Sequence, residues 1–528
     1  MSKNTWGNRV VYQIYPRSFK DTTGTGVGDL NGIIEKLDYL KDLGIGALWL
    51  SPINCSPMKD FGYDISNYKD IDPLFGTLKD FENLIAKAHA KDIKVLMDFV
   101  PNHTSIEHPW FQESRSSLDN SKRDWYIWKK PKRNGEAPNN WLSQFGGSAW
   151  KFDEATKEYY LHTFDKSQPD LNWRNPKVVA RMTDVLRFWL RKGVDGFRVD
   201  VAYHLFKDPF FRDEPYNPTY NIESKREYNS LHHIYTVALP ETIAMLKKLH
   251  SVINEVKDSF MICEIYTFPQ EIVNLYKIVD HQNFAPFNFS FLSLKWNAQI
   301  QKKFIDEFDE MIGEEFFPTY VLGNHDSPRI VSKIGAEAAR VAALLQLTLR
   351  GIPFIYYGEE LGMSDGNIPE EKAKDPMTLN MKGFHFGRDP VRTPMQWDDT
   401  RYGGFSENDP WLPLEEGYKL RNVESEGKDD TSFLNLYKSI LQLRKERMSL
   451  SKGKYFPIEC KNPDVFQYIR RGDDDETLIT ANFSKEAQEV DLPDGKWKVL
   501  LSTYLDLKDK NVSGKITLRA DEGVVLCE

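Results

Sequence analysis

The sequence predicts an α/β protein built on a (β/α)8 TIM barrel, with a subdomain inserted after the third strand and a small antiparallel β domain at the carboxyl end. Three observations predict it. Eight short apolar runs, rich in β-branched and aromatic residues, recur along the chain with amphipathic segments between them. Most of these runs are almost continuously apolar, as strands of a parallel sheet covered on both faces are. The units follow one another in order and no GxGxxG opens a helix, which disfavours a doubly wound open sheet.

The first strand is VVYQIYP (10–16), followed by a Gly-rich turn and the segment LNGIIEKLDYLKDLG. There Leu30, Ile33, Ile34, Leu37, Leu40 and Leu43 recur at helical spacing, and Gly44 supplies the C-cap. ALWLSP, the helix LKDFENLIAKAHAKD and the strand KVLMDFV continue the alternation. GFRVDVA, MICEIY, FAPFNFSF, TYVLGNHD and PFIYYGEE complete the eight strands, with helices such as VVARMTDVLRFWLRKG and AARVAALLQLTLRG between them.

Two stretches break this rhythm. Residues 103–173 are irregular and hold Trp110, Trp125, Trp128, Trp141, Trp150 and Trp173. Long irregular insertions in compact domains are usually functional, so this is the inserted subdomain, dividing the barrel into 1–102 and 174–451. From 452 to 528 the pattern changes to VFQYIRR, TLITANFS, KWKVLL and GVVLCE, separated by Asp/Gly/Asn turns: a C-terminal β-sandwich.

Composition narrows the function. The chain has 528 residues, enough for two or three domains, with 40% hydrophobic and 28% charged residues, a globular balance. Its 69 basic and 78 acidic residues give a net charge of -9, which repels phosphate backbones and anionic lipid, so no nucleic-acid or membrane partner is expected. Cys55, Cys263, Cys460 and Cys527 show no CxxC spacing and read as free thiols of a reducing compartment. With no apolar leader in MSKNTWGNRV and no run near the roughly 18 apolar residues of a membrane span, a cytoplasmic protein is expected.

In a (β/α)8 barrel, functional residues sit at the carboxyl ends of strands. DFVPNHT ends the third strand with Asp98, Asn102 and His103. Arg198 and Asp200 stand two apart and so share one face of their strand. Glu264 interrupts an apolar strand, and VLGNHDSPR brings Asn324, His325, Asp326 and Arg329. Any one of these suits an ion pair or a cap, but several carboxylates gathered at one barrel end are costly without a function. Two carboxyls, one protonated and one ionised, are what glycosidic cleavage requires. The apolar neighbours of Glu264 favour its acid form, and Arg198 favours ionised Asp200. The Trp cluster of the insertion offers flat faces for sugar rings, although each Trp alone suits ordinary core packing.

These segments carry a resemblance. VYQIYPRSF, GDLNGI, GYDI, DFVPNHTS, QPDLNW, DGFRVD, GNHD, YYGEELGM and RDPVRTPMQWD resemble, in order and over nearly the whole chain, blocks of the α-amylase family of glycoside hydrolases (family 13), in its α-glucosidase and oligo-1,6-glucosidase branch. The resemblance implies a retaining mechanism with Asp200 as nucleophile, Glu264 as general acid/base and Asp326 as transition-state stabiliser. It implies that Tyr63, Asp64, His103, Arg198 and His325 line the pocket for the non-reducing glucose, with Arg388 helping to close it and Arg392 the weaker candidate. The expected partner is a small α-glucoside such as maltose or sucrose, and transglucosylation to sugar acceptors is expected alongside hydrolysis.

Details point in different directions. RDEP (212–215), YTVALPET (235–242) and EIYT resemble animal and insect-type maltases, whereas Val201 after the nucleophile accompanies α-1,6 cleavage in the family. Relatives bind Ca2+ or Mg2+ in the loop that is DTTGTGVGD (21–29) here; Asp21 and Asp29 remain, but Thr23 and Thr25 replace typical ligands, so a metal-free turn is favoured. No cofactor is required for the chemistry. Alternatives are an oligo-1,6-glucosidase and a sucrose isomerase or trehalose synthase-type transferase using the same first step. A non-catalytic transporter heavy chain is disfavoured by the retained carboxylates and the missing membrane helix.

Overall fold

The computed structural model describes residues 6–224, 226–381 and 387–528. The eight apolar runs form one parallel sheet: β1 (Val11–Ile14), β2 (Ala47–Leu50), β3 (Lys94–Phe99), β4 (Gly196–Val199), β5 (Phe260–Cys263), β6 (Phe284–Pro286), β7 (Thr319–Val321) and β8 (Ile352–Tyr356). Consecutive strands pair from β1 to β6, β7 pairs with β8, and β8 returns to β1. Among the described residues no ladder joins β6 to β7. Pro286, which has no N–H to offer, ends β6, and the Thr319 hydroxyl bridges the gap. It donates to Pro286 O (3.1 Å) and accepts from Asn288 N (2.9 Å).

Nearly every strand residue is buried, because helices cover the outside and side chains fill the lumen. The first helical segment is broken in two, Leu30–Glu35 and Leu37–Leu43, where Lys36 leaves helical geometry at φ -100° and ψ 6°. Gly44 ends it at φ 98°, a left-handed conformation that glycine adopts without a Cβ clash. Leu78–Ala90 starts with a reciprocal Thr77–Asp80 capping box, and Pro176–Arg191 starts with Pro behind the Asn175 cap.

The insertion contains a three-stranded antiparallel sheet (Trp128–Lys129, Trp150–Asp153, Glu158–Leu161), and bridges His103–Asp170 and Tyr126–Leu171 draw its earlier and last segments together. The carboxyl end forms a six-stranded and a two-stranded antiparallel sheet around Val465, Leu478, Trp497 and Leu526. Buried Arg470 seats it, its Nη1 donating to the Thr348 carbonyl just ahead of β8. Two further excursions, 201–239 after β4 and 357–432 after β8, carry only short helices and run across the barrel mouth. The repeating βα pattern did not foretell them.

Candidate active site

The carboxyl ends of the strands open into a cavity of about 720 Å3, within the size of small-molecule sites. Asp200 follows β4, Glu264 follows β5 and the loop after β7 brings His325 and Asp326, all four on its wall. Beneath them lies Arg198, only 2% exposed. Its Nη1 donates to Asp98 Oδ1 (2.8 Å) and Asp200 Oδ1 (2.7 Å), and its Nη2 donates to Glu264 Oε2 (2.5 Å). The i, i+2 spacing of Arg198 and Asp200 therefore does place both on one face.

Both carboxyls sit in a more polar setting than their sequence neighbours suggest. Burial pushes the Asp200 carboxyl well up; Arg198 opposes this, while Glu264 and Asp98 reinforce it. Glu264 is not surrounded by apolar groups alone: its Oε2 accepts from both Arg198 and the Val201 amide (3.1 Å). Burial likewise raises Asp98, to about 6, against donors from Arg198 and Trp49.

Val201 supplies its amide from φ 37° and ψ 48°, a left-handed conformation that is an outlier for a β-branched residue. Such strain costs about 1–3 kcal/mol and recurs at functional sites. Here it turns the chain directly after Asp200 so that N–H meets the second carboxyl.

Asp326 behaves oppositely. Burial alone would raise it, but His325, Arg388 and Arg392 together hold it far below the usual carboxylate range. Because burial pushes His325 well below its ordinary value and leaves it neutral, the guanidiniums carry this effect. Arg392 Nη2 (2.9 Å) and Arg388 Nη1 (3.2 Å) both donate to Asp326 Oδ1. Gln13 Nε2 donates to His325 Nδ1 (2.8 Å), which places the ring proton on Nε2, 2.7 Å from Tyr63 Oη. Tyr63 passes the relay on to Asp98 Oδ2 (3.2 Å), with its ring stacked on His325 at 1°.

His103 lines the cavity with its Nε2–H directed at Tyr63 O (3.1 Å), and burial lowers it to about 4. Arg388 closes one end: Nη2 donates to Asp60 Oδ1 (2.7 Å) and Asp375 Oδ1 (2.7 Å). Arg392 sits behind, fully buried, with Nε on His325 O (2.8 Å). Asn324, Asn102 and Arg329 act as scaffold. Asn324 Oδ1 accepts from Asp326 N, Asn102 meets the buried Lys207–Asp170 pair, and Arg329 donates to Tyr357 and Val391 carbonyls.

Asp64 is a correction. Its carboxylate accepts from Ser56 Oγ and the amides of Lys59 and Asp60, so it caps its own loop and does not line the cavity. Asp60 takes the place expected of it. Sequence reasoning missed Asp60 because the turn between it and Tyr63, through Gly62 at φ 109°, was not resolved from the GYDI block. The tryptophans are a second correction. Trp125, Trp141, Trp150 and Trp173 are core residues of the insertion and its seat, and none of the six lines the cavity. Its Phe and Tyr lining is Tyr63, Phe145, Phe164, Tyr203, Tyr228 and Tyr266.

The 21–29 loop holds its two carboxylates apart from any cation cage. Asp21 accepts from the amides of Thr23, Gly24 and Gly26 and from Ser406 Oγ; Asp29 caps the following helix and accepts from Thr22. N–H and O–H donors aimed at both carboxylates suit a tight turn, and the Thr23 and Thr25 hydroxyls bond each other (3.2 Å). The residues present do not fit a hard-cation site.

Comparison with known proteins agrees with this geometry. The model of the α-amylase catalytic domain matches residues 13–453. The α-glucosidase of Apis mellifera is 42% identical, over 93% of this chain and 88% of its own length. The oligo-1,6-glucosidase of Parageobacillus thermoglucosidasius is 38% identical over 99% of both chains. A solved α-glucosyl transfer enzyme superposes with a TM-score of 0.91 at 36% identity, covering 99% of both chains. A barrel whose fourth, fifth and seventh strands end in these three carboxyls, matched along its whole catalytic length, belongs to the α-amylase family, in its α-glucosidase and oligo-1,6-glucosidase branch.

Proposed function

We propose that the protein is a retaining α-glucosidase that releases α-glucose from the non-reducing end of short α-glucosides through a covalent glucosyl-enzyme intermediate. One observation carries this reading: a single guanidinium, Arg198, donates to both Asp200 and Glu264, so the two carboxyls stand side by side on the cavity wall. Retaining pairs stand about 5 Å apart, whereas inverting pairs leave roughly 6.5–9.5 Å for a water. Two carboxyls sharing one guanidinium support the closer, retaining arrangement.

Asp200 attacks the anomeric carbon while Glu264, as general acid, gives a proton to the departing glycosidic oxygen. The C–O bond to the leaving group breaks as the ester to Asp200 forms. Glu264, now ionised, takes a proton from water, whose oxygen displaces Asp200 and leaves α-glucose. Asp326, kept ionised by Arg388 and Arg392, faces the positive charge that develops at the anomeric centre. The Asp60–Arg388 pair blocks the cavity behind one sugar, which supports release of single glucose units. Sugar acceptors replace water in part of the turnovers, and the linkage preference rests on the space beside Val201.

The substrate is a small sugar, no cofactor is required, and the 21–29 loop works without metal. Four free cysteines support a cytoplasmic location, and no described helix is long and apolar enough to cross a membrane.

The test is to trap the intermediate. A 5-fluoro-α-glucosyl fluoride should label Asp200 as an ester in peptide mass mapping, and Asp200→Asn should abolish labelling. Label on another residue, or β-glucose as the first product of maltose by NMR, would overturn the reading.

A further inference from the structure

The excursion after β4 is braced to the insertion. Asn140 N donates to Asp213 Oδ1 (2.9 Å), Asn140 Nδ2 donates to Glu214 O (2.9 Å), and Glu214 N donates to Asn140 Oδ1 (2.8 Å). The Glu214 carboxylate then accepts from Tyr235 N (2.9 Å) and Thr236 Oγ1 (2.9 Å), tying the two ends of the excursion's loop together. Asn217 crosses that loop, its N donating to Ser230 O and its Nδ2 to Asn229 O. Tyr228 and His233 stack with ring centroids 3.5 Å apart, and His233 Nε2 donates to Tyr228 O (2.8 Å). So RDEP and the start of YTVALPET act as the frame of a fixed loop.

Arg226 stands in that frame, on the wall of the same cavity as Asp200 and Glu264. Its Nη2 donates to Gln144 Oε1 of the insertion (3.1 Å). Among the described residues no carboxylate pairs with it, and its buried Nε has no partner. No hydrogen bond or ion pair joins it to Asp60, Arg388, His325 or Asp326, the groups of the closed end. A guanidinium is a rigid set of five donors, and leaving donors unmatched in a confined site is costly. A ligand rich in acceptor oxygens, lying beyond the glucose, would match them.

We propose that Arg226 is a specificity-determining residue that binds the hydroxyls of the second sugar, as leaving group in the first step and as acceptor in transfer. The ligand class is an α-glucoside whose aglycone is itself a hexose, in preference to an aryl or alkyl aglycone. This rests on the α-glucosidase reading. Asn229 and His233 line the same cavity as Arg226, and the stack of Tyr228 on His233 fixes the chain just beyond it.

The experiment compares kcat/KM on p-nitrophenyl α-glucoside with kcat/KM on the best of maltose, isomaltose and sucrose, for wild type, Arg226→Ala and Arg226→Lys. Losing a hydrogen bond from a charged group corresponds to a change of about 10- to 100-fold. The disaccharide-to-aryl ratio should therefore fall at least about tenfold in Arg226→Ala and partly recover in Arg226→Lys. The yield of transfer product to added glucose should fall in parallel, with Tm unchanged. An equal fall on both substrate types would make Arg226 structural, and an unchanged ratio would remove it from the sugar site; either overturns the proposal. Wild type without activity on any α-glucoside, the aryl one included, would instead overturn the function it rests on.

Discussion

Replacing Arg198 by Met keeps most of the side-chain volume and removes the charge that Asp98, Asp200 and Glu264 share. Three charge-assisted hydrogen bonds are lost, each worth about 1.5–3 kcal/mol. Breaking a buried ion pair from one side typically costs about 3–5 kcal/mol. If the one-sided cost of about 3–5 kcal/mol falls on the transition state, kcat/KM drops by about 10²- to 10⁴-fold, since each 1.4 kcal/mol is a factor of ten. The direction in pH is fixed as well. Arg198 is the largest influence opposing the burial-driven rise of the Asp200 carboxyl, so its removal raises that pKa further. A nucleophile protonated over a wider range gives a kcat/KM that keeps climbing at pH values where wild type has levelled off. The assay is kcat/KM on p-nitrophenyl α-glucoside from pH 4 to 9, with circular dichroism confirming the fold. A loss below tenfold with an unmoved acidic limb would refute the idea that one guanidinium organises the carboxyls.

Glu264→Gln should lower kcat on maltose far more than the rate of glucosylation by an activated fluoride, because fluoride leaves without an acid; burst kinetics separate the steps. Glu359 is buried near the end of β8 and burial pushes it to about 8 from 4.5, so the folded state holds a proton that the unfolded state releases. Stability then falls by about 1.4 kcal/mol per pH unit between these values and is lowest above them, and Glu359→Gln should remove that slope in urea titrations at pH 5 to 8. Neither EDTA nor added Ca2+ should move Tm by more than a degree, while Asp21→Ala, which frees three amides and two hydroxyls, should lower it by several.

The barrel was legible because buried parallel strands write themselves as apolar runs, and the polar residue ending each run marks the mouth. The three carboxyls, Arg198 and His325 were found this way. What escaped was set by tertiary contact. Asp60 and Asp64 are equivalent in composition, and only the turn between them decides which carboxylate faces the cavity and which caps the loop. The tryptophans of the insertion signalled aromatic content but not direction, since a subdomain with little regular structure needs large side chains for its own core. The polar side of Glu264 depends on donors such as the Val201 amide, brought there by a backbone angle that no side-chain pattern records.

The seam at Thr319 gives the cylinder a beginning and an end. Strand-to-strand bonding runs from β7 through β8 and β1 to β6, so the strand that delivers Asp326 reaches the one that delivers Glu264 by the long way round. Shear and tilt around a barrel must add up to closure, and any misfit gathers where the stitching is thinnest. Here that is a lone hydroxyl between neighbours β6 and β7, one strand removed from the acid and on the very strand that leads to its electrostatic counterpart. The two strands that frame the seam are thus held to each other through a side chain, while the carboxyls at the mouth hang from strands that the main-chain ladder joins only around the far side.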